Sequence, residues 1–165
     1  MKLIIHDLDQ DTLSRVLLPG AEDRVVQATT GKRHCIGCFE CWTKHPGECI
    51  FQDRYHGLPA IMGHVEEILI ISRLWYGSYS PEVKLLMDRS IGVVQPDFVE
   101  REGRMHHKLR YTNQPKLTVW FYDDQGDIEE QTLARDLVRR NMLNFTTAEW
   151  SANFVGSAQE LAGVL

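Results

Sequence analysis

The stretch Ile68-Leu69-Ile70-Ile71, followed by Ser72-Arg73-Leu74-Trp75-Tyr76-Gly77-Ser78-Tyr79-Ser80-Pro81, decides the fold. A continuous apolar run between polar neighbours reads as a strand buried on both faces. Ser80 can cap a helix and Pro81 fits its first turn, while Val83, Leu86, Met87, Ser90, Ile91 and Val94 form one apolar stripe. A buried strand passing through a short loop into a helix is the repeating unit of a parallel α/β sheet.

Working outward, residues 2–6 alternate loosely, residues 24–28 hold a Val-Val pair, and residues 117–122 are β-branched and aromatic. Ala148, Trp150, Ala152 and Phe154 alternate with polar residues, as on an edge strand. Asp127 with Glu130 resembles a capping box that opens a helix reaching about Asn141. On that helix Leu133, Ala134, Leu137 and Val138 face inward, and Arg139 and Arg140 complement the negative end. Strands alternating with helices predict an α/β fold, a flavodoxin-like doubly wound sheet of five parallel strands in the order 2-1-3-4-5 with helices on both faces. One domain over residues 1–165 is expected.

Composition removes several classes of function. The chain has 165 residues, 43% of them apolar, and its 18 basic against 23 acidic side chains leave a net charge of -5. That balance lacks the basic footprint of a nucleic-acid binder. No apolar run approaches the roughly 18–20 residues that cross a bilayer, and MKLIIHD has no secretory layout, so a cytoplasmic protein without membrane contact is expected.

Two constellations carry chemistry. In a doubly wound sheet the ligand crevice opens beyond the carboxyl ends of strands 1 and 3, so residues 7–12 and 72–80 should face a cofactor. The second segment offers Ser72, Arg73, Trp75, Tyr76, Gly77, Ser78 and Tyr79. Trp75, Tyr76 or Tyr79 could flank a flavin face, and Gly77 would let backbone amides approach its polar edge. The alternative is an aromatic loop packed on its own helix.

The other constellation is Cys35-Ile36-Gly37-Cys38-Phe39-Glu40-Cys41-Trp42, with Cys49 returning after Pro46-Gly47, a C-x2-C-x2-C-x7-C spacing. Four thiolates so spaced can ligate an iron-sulfur cluster. Zinc is a rival, with His34 or His45 replacing one thiol. Two further readings are a redox-active thiol pair and inert thiols, with Cys35 and Cys41 buried under Trp42.

The chain resembles the flavodoxin-like NAD(P)H-dependent FMN reductase superfamily, and especially its iron-sulfur flavoprotein branch. The resemblance rests on CIGCFECW with its PGEC return, on SRLWYGSYSPEVKLLMDRSIG at residues 72–92, and on KLTVWFYDD at residues 116–124. It implies bound FMN, NAD(P)H as electron donor, an acceptor the residues do not name, and a homodimer whose partner helps cover the flavin. It also implies that Arg73, Trp75, Tyr76, Gly77 and Ser78 line the isoalloxazine, and that Cys35, Cys38, Cys41 and Cys49 hold a 4Fe-4S cluster. The expected function is an FMN-dependent oxidoreductase or electron-transfer flavoprotein, with a flavin-free dimeric binding or thiol-sensing scaffold as the alternative.

One segment departs from the family pattern. Where the family has a Gly/Ser-rich phosphate turn, this chain reads Asp7-Leu8-Asp9-Gln10-Asp11-Thr12, up to three carboxylates facing a dianion. Either Arg15 or Arg73 holds the phosphate elsewhere, or FMN affinity is weakened or lost. Residues 95–114 read as a long, basic connection in which Arg104, Lys108 and Arg110 could meet a phosphate. Adjacent His106 and His107 should point in different directions, which argues against a shared metal.

Overall fold

The computed structural model describes every residue except 124, 126 and 146–148, and only the backbone of residue 145. Asp124, which ends the third block of the resemblance, and Ala148, in the last expected strand, lie outside the described residues. The first strand, β1 (Lys2–His6), leads through helix α1 (Gln10–Val16) to β2 (Arg24–Gln27). Two short helices, α2 (Glu40–Thr43) and α3 (Leu58–Met62), precede β3 (Glu67–Arg73). Next come α4 (Pro81–Arg89), a 3-10 turn (Ser90–Val93), and the strands β4 (Val94–Arg101) and β5 (Arg104–Leu109). The chain ends with β6 (Lys116–Tyr122), α5 (Ile128–Phe145), β7 (Trp150–Phe154) and a 3-10 turn (Ala158–Gly163).

Five strands form one parallel sheet in the order β2-β1-β3-β6-β7. The expected order 2-1-3-4-5 is not reproduced strand for strand, because β4 and β5 pair with each other as a separate antiparallel ribbon. The five strands foreseen are β1, β2, β3, β6 and β7, with β7 on the edge. Alternation along the strands sorts side chains to two faces. Leu3, Ile5, Ile68, Ile70, Leu117, Val119 and Phe121 join a core closed by α3, α4 and α5. Ile4, Leu69 and Ile71 pack on the other face against Leu13 and Val16 of α1 and Leu161 of the last turn. Helical layers therefore cover both faces.

Several local expectations change. Residues 95–114 are largely the β4–β5 ribbon rather than an irregular connection. Glu102 and Gly103 both have positive φ, as a tight two-residue hairpin turn requires, but Glu-Gly is not the Asn-Gly or Asp-Gly pair that signals one in sequence. Pro96 lies where the pairing register shifts between Val94 and Phe98, since proline offers no N–H to the ladder. His106 and His107 do diverge: His106 lies 3.3 Å from Asn144, and His107 packs on Trp42 and Phe98. The α4 stripe breaks at Arg89, after which Ile91 is exposed and Val94 opens β4.

On α5, Asp127 accepts hydrogen bonds from the amides of Glu129 and Glu130 as a cap should. Leu133 does not face inward, however; it is 61% exposed while Ala134 and Val138 are buried. Arg139 and Arg140 lie short of the last turn, because the helix continues to Phe145, and both pair with Asp136.

Phe121 is fully buried and stacks on Tyr79 at 5.5 Å and on Phe154 at 5.4 Å, joining β6, β7 and the loop before α4. Phe121→Ala should lower unfolding free energy by about 3–5 kcal/mol in urea titration. Ile128→Ala, at an exposed position, should change it by less than about 0.5 kcal/mol.

Candidate functional site

The cysteine segment is held in place by its backbone. Gly37 and Phe39 both have positive φ, and Phe39 caps α2 in the left-handed region, uncommon for a bulky residue. Its ring stacks on Trp42 at 5.3 Å, and the indole N–H of Trp42 donates to the carbonyl of Ile91. The returning turn requires glycine at position 47: φ is +83°, and a β-carbon there would sit 2.4 Å from the Tyr111 hydroxyl. The Gly47 amide closes the turn onto the Cys41 carbonyl, and the Cys49 amide donates to the carbonyl of His56.

All four cysteines border one cavity of about 560 Å³, enclosed by α4, α5, the 3-10 turn after α4 and His107 of β5. Its size and mainly apolar wall suit a small ligand or cofactor. Cys35 and Cys38 are exposed, while Cys41 and Cys49 are half-buried, so Cys35 is not buried under Trp42 and Cys41 is only partly so. Burial, and then the charges of Cys35, Cys38 and Cys49, push the Cys41 thiol above its ordinary range. Among the described residues, no three His, Cys, Asp or Glu side chains stand close enough to hold a single metal ion. A four-iron cluster spreads its thiolates around a larger body than one ion does.

A buried cation completes this wall, and no sequence motif had singled it out. Arg89, whose side chain is fully buried, forks onto both carboxylate oxygens of Asp53 at 2.7 and 2.8 Å and donates to the Cys49 sulfur at 3.4 Å. Burial alone would pull the guanidinium down, but Asp53 and Cys49 more than offset it and hold Arg89 charged. The same contact, above all the hydrogen bond from Arg89, keeps Asp53 below the usual carboxylate range. Arg33 and Arg89 both lie over the ring of Phe51, at 5.1 and 5.4 Å. In sequence Arg89 stands only as a charged residue between Met87 and Ser90 of the apolar stripe.

The aromatic loop stands apart from this cavity. Trp75 and Ser78 exchange backbone hydrogen bonds across Tyr76 and Gly77, both of positive φ, making a tight hairpin turn. The Gly77 amide donates to Glu130 on α5, and a β-carbon on Gly77 would press to 2.7 Å from Leu133. Tyr76 is 83% exposed, and the guanidinium of Arg73 lies 4.2 Å over the Trp75 ring. Ser72 is buried, donating to the Arg73 carbonyl and accepting from the Ser80 amide. Tyr79 turns into the core, 2% exposed and bonded to Asn141; of the seven expected flavin contacts, it is the one that lines the cavity.

At the switch point, Asp7 accepts from the Arg73 amide and the Tyr122 hydroxyl, each at 3.0 Å. Burial raises the Asp7 carboxyl above its ordinary value of 3.8, against the pull of hydrogen bonds from Ser80, Arg73 and Tyr122. Burial and then Asp7 push the Tyr122 phenol up. Asp9 instead caps α1, bonding both the amide and the hydroxyl of Thr12. Arg110 is spent on the carbonyls of Gly92, Val94 and Cys41, whereas Arg104 and Lys108 remain exposed.

Arg89→Met should cost about 3–5 kcal/mol in urea unfolding, because the Asp53 carboxylate loses its buried counter-charge. A raised Asp7 carboxyl means that folding takes up a proton. Its contribution is therefore fully present below pH 3.8 and lost as pH rises through the folded value. His6, held low by burial first, acts in the opposite sense. Subtracting the urea midpoints of Asp7→Asn from those of the wild type across pH 3–7 should isolate a difference that grows more unfavourable to the wild type with pH. No protein-family model and no curated protein matches this chain.

Proposed function

We propose that the chain is an electron-transfer protein of flavodoxin-like architecture whose redox group is a 4Fe-4S cluster held by Cys35, Cys38, Cys41 and Cys49. The carrying observation is that these four thiols border one cavity. The donor set is the all-thiolate shell such a cluster uses, and a bound cluster would supply one-electron chemistry. Arg89 places positive charge at the Cys49 sulfur, offsetting part of the negative charge gathered there. Phe39 and Trp42 wall one side of the cavity.

FMN does not fit the strand-end crevice as a phosphate-bearing ligand, because Asp7 already takes the donors of Arg73 and Tyr122 there. No flavin or NAD(P)H step is therefore assigned to Trp75, Tyr76 or their neighbours. The exposed side chains Ile36, Phe39, Phe98 and Met105 supply apolar surface for the homodimer that the resemblance implies. A second reading, a flavin-free thiol sensor on the same scaffold, is favoured by the exposure of Cys35 and Cys38.

Reduced protein supplied anaerobically with ferrous iron and sulfide should take up about four of each per chain. It should also gain a broad brown absorption that dithionite bleaches. Serine at any one of the four cysteines should reduce the incorporated iron. Protein that stays colourless, with all four thiols still open to iodoacetamide, would exclude the cluster, and reversible peroxide oxidation of those thiols would then support the sensor.

A further inference from the structure

The carboxyl-end crevice of a doubly wound sheet is where a phosphate ordinarily meets free amides and hydroxyls. In this chain several of those donors are already committed. The Arg73 amide and the Tyr122 hydroxyl each donate to a different oxygen of Asp7 at 3.0 Å. The Ser80 hydroxyl accepts from the Val83 amide. Asp9 takes the amide and hydroxyl of Thr12, the Ser14 hydroxyl donates to the Asp11 carbonyl, and the Gly77 amide is bonded to Glu130. The nearby cation, Arg73, lies over the Trp75 ring.

We propose that Asp7 fills, from within the chain, the anion position of this crevice, so that the crevice excludes phosphate-bearing ligands and admits only molecules without a phosphate there. Two groups from two places converge on one side chain: the end of β3 and the end of β6. That is how a bound anion would be held. A second anion would meet like charge and find the Arg73 amide and the Tyr122 hydroxyl already bonded.

The test uses metal-free protein with its cysteines unchanged, so it succeeds or fails independently of cluster assembly. Thermal unfolding is followed with inorganic phosphate, against potassium chloride of equal ionic strength. The wild-type midpoint should not respond to phosphate. Asp7→Ser withdraws the carboxylate and leaves the two donors, so its midpoint should rise by about 3–6 °C at phosphate tenfold above the dissociation constant. A wild type that gains as much as Asp7→Ser, or a folded Asp7→Ser that gains nothing, would overturn the proposal.

A second measurement needs no variant: fluorescence titration of the wild type with FMN and with riboflavin. The two should bind alike or not at all. FMN binding tenfold or more tighter than riboflavin would overturn the proposal.

Discussion

The ion pair between Arg89 and Asp53 ties the cysteine-bearing segment to the body of the protein. A fully buried guanidinium is tolerable only with a partner, and Asp53 supplies both of its oxygens. Because Arg89 ends α4 while Asp53 follows the Cys49 turn, this pairing fixes that turn against the helix. The Cys49 sulfur then lies beside a permanent positive charge. A loop of 15 residues from Cys35 to Cys49 has little core of its own, so its geometry is borrowed from this clamp, from Trp42 on Ile91, and from Tyr111 above Gly47.

The carboxyl ends of the strands are organised by a different contact, the one at Asp7. It links β1 to the ends of β3 and β6, whose tips would otherwise present unpaired donors to solvent. In the usual use of this architecture those donors are left for a ligand. Here a side chain takes them, and the cavity opens elsewhere, between the cysteine segment, α4, α5 and the β4–β5 ribbon. The site thus lies off the crevice that strand order alone would nominate.

The ribbon and the aromatic loop show why loops resist reading from sequence. Both turn through two residues of positive φ, Glu102-Gly103 and Tyr76-Gly77, where the first residue is not one that favours that conformation. Local preference is overridden by the packing on either side: His107 sits between Trp42 and Phe98, and Gly77 fits against Leu133. Tyr79, read as a flavin contact from its place among other rings, is instead a core residue stacked on Phe121.

The amino-acid sequence by itself determined the strands of the parallel sheet, the capped start of α4 and the clustering of four thiols within one short segment. These follow from hydrophobic period, capping chemistry and spacing, all properties of near neighbours in the chain. Tertiary structure alone decided that Asp7 points inward, that Arg89 reaches Asp53 and Cys49, and that the cavity forms beside the cysteines. Each of these joins residues tens of positions apart, and the partner of a charged side chain is set by which elements pack together, which no local pattern encodes.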